Sequence, residues 1–167
     1  FIHFWSLGSS NAFLLQTQIV FANPAFAKYL NFPDVDPDPD TLEVIQGLEE
    51  QIYENFQDRS EDSKNYAHYD ARWIDLTGEG VPALFVLPVH LCGASNCTII
   101  GFEERDGEWV KIYELFGGEG LDVKTSKTNG YFDIQQYRGL GAARGFEIES
   151  HWNGEKYVTD EAREIKY

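Results

Sequence analysis

"TIIGFEERDGEWVKIYEL", residues 98–115, decides the reading of the fold. Apolar and β-branched residues run up to Asp106-Gly107 and resume after it with Trp109, Val110, Ile112 and Tyr113. An Asp-Gly pair accepts the positive φ values of a type I′ turn, whose twist matches two antiparallel strands. The stretch therefore predicts a β-hairpin.

The same signal recurs on both sides. "GLDVKT" is followed by "SKTNGYFDIQQYR", which contains Asn129-Gly130, and Asn153-Gly154 separates "ARGFEIESHW" from "EKYVT". Upstream, "YDARWID" alternates Tyr69, Ala71 and Trp73 with Asp70 and Arg72, as a half-buried strand does, and "ALFVLPV" reads as a fully buried one. Short strands joined by such turns predict a mainly antiparallel sheet. "DEAREIKY" closes the chain as a short helix or a frayed tail.

Before the strands, Leu42, Ile45, Leu48, Ile52 and Phe56 recur at helical spacing, with Glu49, Glu50 and Glu54 on other faces. Asp40 or Thr41 caps this helix, which ends near Asp58. The expected fold class is α+β: an acidic N-terminal helix packed on a mainly antiparallel sheet. Residues 41–167 form that single domain. Residues 28–40, with prolines at 33, 37 and 39 among aspartates, read as an acidic linker. Residues 1–27 contain no Asp, Glu, Lys or Arg and reach Ala25-Phe26-Ala27, an A-x-A pattern. They read as a signal-peptide remnant, with an N-terminal helix packed on the domain as the alternative.

The chain of 167 residues carries a net charge of −15. That sign opposes nucleic-acid binding, which needs Lys and Arg against phosphate, and docking on an anionic leaflet. Residues 31–70 hold twelve acids against Arg59 and Lys64. Asp34, Asp36, Asp38, Glu49, Glu50 and Glu54 are accordingly the candidate surface for a basic protein. No apolar run reaches the ~20 residues a stable membrane span needs.

Three motifs could carry chemistry. In "DLTGEG", residues 75–80, Asp75, Thr77 and Glu79 alternate as oxygen donors for a cation such as calcium. Ala83 and Val86 stand where further ligands belong, so calcium is not expected to be needed for folding. His90, Cys92 and Cys97 could form a zinc set with His68 or His151, a disulfide, or free thiols. Small residues between the cysteines let the chain reverse, and the even count suits a disulfide in an exported protein. "YRGLGAARG", residues 137–145, lacks the third glycine of a dinucleotide loop; Arg138 and Arg144 leave a place for an anion, and no cofactor is implied. Trp73, Trp109 and Trp152 could form a sugar platform or pack in the core.

Taken in order, Asp75, Gly78, Gly80 and Pro82; Cys92, Gly93 and Cys97; Thr128, Asn129, Gly130 and Asp133; and Trp152, Gly154 and Tyr157 resemble the pattern of small exported bacterial β-domains of uncharacterised function. Thr77, Glu79 and Ala83 depart from it, where Asn, Asp and an acid are usual. The resemblance implies export and brings no catalytic residues. The expected function is an exported, non-enzymatic binding or inhibitory module with a basic partner. The alternatives are an extracytoplasmic hydrolase, using Asp75 or Glu79 with His68 or His151, and a structural envelope protein.

Overall fold

The computed structural model describes residues 28–31, 37–55, 68–93, 96–118, 120–141 and 144–166. The proposed leader, Asp34 and Asp36 lie outside them. The elements are β1 (Lys28–Asn31), α1 (Pro39–Gly47), α2 (Glu49–Ile52), β2 (Tyr69–Asp75), β3 (Pro82–Pro88), β4 (Cys97–Arg105), β5 (Glu108–Gly117), β6 (Gly120–Thr128), β7 (Tyr131–Gly141), β8 (Arg144–Trp152), β9 (Tyr157–Thr159) and β10 (Arg163–Lys166), with a 3-10 turn at Val89–Leu91.

The strands form two antiparallel sheets. One is a four-stranded meander, β2-β3-β4-β5. The other runs β1-β6-β7-β8-β10, with β9 also paired to β8. All three Asp-Gly and Asn-Gly signals mark turns between consecutive paired strands. Asp106 and Gly107 have φ of 54° and 83°, Asn129 and Gly130 of 50° and 90°, the left-handed values such turns need.

The α+β expectation is corrected here. The fold is mostly β, with two sheets rather than one sheet under a helix. The reason lies in which faces are apolar. In β3, Ala83, Phe85 and Leu87 join a core that includes Leu121, Val123, Phe132, Ile134, Trp152 and Tyr157 of the six-stranded sheet. Leu84 and Val86 point the other way, into a second cluster with Ile45, Leu48 and Ile52. A strand buried on both faces needs cover on both sides. The second sheet covers one, and the short helical segment covers only part of the other. That segment differs from its prediction too: Asp38 is the N-cap, accepting from Thr41 N (3.0 Å) and Thr41 Oγ1 (2.7 Å), and the helix breaks at Leu48 into two short pieces.

The first and last described strands also depart from expectation. Lys28–Asn31, read as linker, pairs with β6, and Arg163–Lys166, read as helix or tail, pairs with β8. At Gly101 the chains approach closely: a Cβ there would lie 2.9 Å from the Phe85 ring and 3.0 Å from Tyr113 Cβ. The β4–β5 register shifts at this point.

Candidate functional site

The turn-bearing end of the four-stranded sheet carries an open groove of about 270 Å³ on the face away from the main core. Its lining is Trp73 from β2, Val81 and Pro82 at the start of β3, Glu104 from β4, Asp106 and Gly107 of the turn, and Trp109 from β5. Strand alternation builds it. Tyr69, Ala71 and Trp73 share the outer face, as predicted, and Trp109 reaches toward Trp73 from the opposite edge strand. The two indole rings sit 5.9 Å apart and tilted. Trp73 Nε1 donates to Thr41 Oγ1 (3.0 Å), and Trp109 O accepts from Gln51 Nε2 (3.5 Å), so the helical segment fixes both edges.

Charge is one-sided here. Glu104 and Asp106 are exposed, and no Lys or Arg lines the groove. The base between them is engaged elsewhere: Arg105 Nε donates to Glu103 Oε2 (2.7 Å), its Nη2 to Glu155 O (2.9 Å), and its guanidinium lies over the Trp152 ring. Val81 is 56% exposed, so the groove has an apolar lip. The volume suits one side chain or a small head group rather than a cofactor. Of the three tryptophans read as a platform, Trp152 is elsewhere, buried and stacked on Tyr131 at 4.0 Å.

The "DLTGEG" loop holds itself. Asp75 Oδ1 accepts from Thr77 N (3.1 Å), Thr77 Oγ1 (3.1 Å) and Gly78 N (2.7 Å), while Oδ2 accepts from Gly80 N (2.8 Å). Thr77 Oγ1 also accepts from Glu79 N (3.1 Å). Burial pushes the Asp75 carboxyl up, but the N–H donors of Gly80, Gly78 and Thr77 outweigh it and hold the carboxyl below its ordinary value. Lys127 Nζ donates to Thr77 O (2.6 Å) and lies 4.3 Å from the Phe132 ring centroid. The Asp75 and Thr77 oxygens expected to serve a cation are thus used by protein donors, and the Glu79 side chain is exposed.

Cys92 and Cys97 form a disulfide, with Cα atoms 4.2 Å apart. Asn96 fastens its loop to the other sheet: Nδ2 donates to Gly139 O (3.1 Å), and Oδ1 accepts from Gly139 N (3.0 Å). His90 makes hydrogen bonds through Nε2 with Tyr53 Oη (2.6 Å), which also meets Tyr69 Oη (2.9 Å). This network ties the helical segment to β2 and the 3-10 turn. His68 Nε2 lies 3.6 Å from Asp70, and His151 meets Asp133 and Asp160. His68 and His151 therefore meet carboxylates other than Asp75 and Glu79. Arg138 lies over Phe116 and Arg144 beside Glu164, each with its own partner.

The acids named as a partner surface divide by use. Asp38 is spent on capping α1, and Glu54 pairs with Lys111 (2.9 Å). Glu49 and Glu50 stand in the first turn of α2. Glu104 went unremarked in the sequence, and Asp106 was read only as a turn residue. The signal for them was their place around the Asp-Gly turn beside Trp109.

Comparison of the chain with known protein families, curated proteins and solved structures finds no match.

Proposed function

We propose that the protein is an exported binding module that takes a basic partner, seating a Lys or Arg side chain of that partner in the tryptophan groove. The observation that carries this reading is the pairing of Trp73 and Trp109 with Glu104 and Asp106 in a groove without a lining base. A cation over an indole face gains ~0.5–1 kcal/mol when exposed and ~2 when desolvated, and a carboxylate adds attraction of the same sign. The net charge of −15 draws a basic partner from a distance. Export is supported by the disulfide, which persists outside reducing compartments. Among the described residues no helix is long and apolar enough to cross a membrane.

Titration with decalysine, followed by tryptophan fluorescence, tests the reading. Binding should weaken as salt shortens the Debye length from ~10 Å at 0.1 M to ~3 Å at 1 M. Glu104→Gln with Asp106→Asn should weaken it by more than Glu155→Gln with Glu161→Gln, which changes net charge equally. Equal loss in both double variants, or a neutral oligosaccharide binding better than decalysine, overturns the groove as a cation site.

A further inference from the structure

We propose that the outer face of the six-stranded sheet holds a divalent transition-metal site, with Asp133, Glu149 and His151 as ligands and Asp160 as the residue that orients the imidazole. This site lies on the other sheet from the tryptophan groove and does not depend on it.

Strand register assembles the donors. Ile134 pairs with Ser150 and Gln135 with Glu149 across β7 and β8. Asp133 is thereby placed opposite His151. Ile134, Ile148, Ser150 and Trp152 are buried, and alternation sends Asp133, Glu149 and His151 to the opposite face. One ligand atom from each of the three lies within 4.8 Å of the others.

Two further observations point to a metal rather than to a chance grouping of acids. The first concerns Asp133, a carboxylate only 3% exposed. Against its burial, the polar side chains of Ser126, His151 and Thr128 act on it and together hold its carboxyl below the ordinary value. Its Oδ1 lies 2.9 Å from His151 Nδ1 yet receives no well-aligned hydrogen bond. A carboxylate oxygen and an imidazole nitrogen this close, without a linear N–H···O between them, are arranged like neighbouring donors converging on one cation.

The second concerns the far side of the ring. His151 Nε2 meets Asp160 Oδ2 at 2.9 Å. In the neutral imidazole, with Nε2–H donating to that carboxylate, Nδ1 is the lone-pair nitrogen and faces Asp133, so a metal bound there takes the place of the Nδ1 proton. A carboxylate on the second nitrogen is the arrangement that fixes tautomer and ring orientation for metal binding. One imidazole nitrogen with two carboxylates suits zinc or manganese better than calcium or magnesium, which favour all-oxygen shells. Three protein donors leave a position for water or for a donor from a partner.

Untagged full-length chain, stripped with chelator, is titrated with zinc chloride by calorimetry, and in parallel with cobalt chloride read by visible absorption. The expected result is one equivalent bound, with ligand-field bands for cobalt and a rise in melting temperature with zinc. His151→Ala and Glu149→Gln should abolish stoichiometric binding. Glu149 is partly exposed, so its variant should keep the fold, checked by circular dichroism, if the other fails to fold. Asp160→Asn should weaken binding roughly 10- to 100-fold while keeping the stoichiometry. No stoichiometric binding by the parent chain, or unchanged affinity in folded Glu149→Gln, overturns the site.

Discussion

Replacing Asp75 is the most informative perturbation of the fold. The residue is 1% exposed, and its carboxylate accepts four hydrogen bonds from Thr77, Gly78 and Gly80. Bonds to a charged acceptor are worth ~1.5–3 kcal/mol each. The donors lie in a loop whose residues 77–80 are partly or fully exposed, so water can reach the freed N–H groups. About 1 kcal/mol for each of the three backbone donors is the appropriate discount, giving roughly 3 kcal/mol for Asp75→Ala. At ~2–4 °C per kcal/mol for a chain of this size, the melting point should fall by about 6–12 °C. Asp75→Asn keeps an acceptor for Thr77 and Gly78 but turns an amide toward Gly80 N–H, so about half that loss is expected. The sign with pH follows from the lowered folded value. The unfolded carboxyl titrates near ~3.9. The stabilisation is therefore fully present above that value and is lost as pH falls through the lower folded one. Urea unfolding at pH 7 and near pH 3, followed by tryptophan emission, should show the parent and Asp75→Asn converging in acid. A loss below about 1 kcal/mol for Asp75→Ala at neutral pH would refute the hydrogen-bond account.

Cys92→Ser with Cys97→Ser should lower stability by roughly 2 kcal/mol, by the loop-closure relation, and leave a folded protein by circular dichroism. Gly101→Ala should cost ~1–3 kcal/mol, since the added Cβ meets the Phe85 ring at 2.9 Å between two packed strands; equal stability in denaturant would show that the ring yields freely. Melting in chelator and in millimolar calcium should agree within a few degrees, because the Asp75 oxygens already have protein donors. A large rise with calcium contradicts this. Trp109→Ala should remove most of the fluorescence response to decalysine, and an undiminished response would place the cation elsewhere.

Much of the strand content was legible because its signals are local. Asp106-Gly107 and Asn129-Gly130 specify turns through pairs of positive φ values that few residue pairs accept, and Asn153-Gly154 opens a longer turn in which Gly154 alone takes a positive φ. Period-two alternation placed Tyr69, Ala71 and Trp73 on one face. The cysteine pair was readable from loop length and the small residues it encloses. The number of sheets was not readable. Continuous apolar runs such as "ALFVLPV" declare burial on both faces without saying what covers each. The pairing of β1 with β6 and of β10 with β8 depends on open edges that exist only once β6 and β8 are in place. The candidate sites share that limit. Trp73 and Trp109 stand on the two edge strands of one sheet, and Asp133 and His151 on neighbouring strands of the other. Sequence by itself determined the turns and the alternation of Tyr69, Ala71 and Trp73, and it favoured the staple at Cys92–Cys97 that the structure contains, because those follow from backbone sterics and short loops. The tertiary structure alone decided the two-sheet core, the acid-lined groove and the carboxylates around His151, because strand pairing joins residues that no local pattern relates.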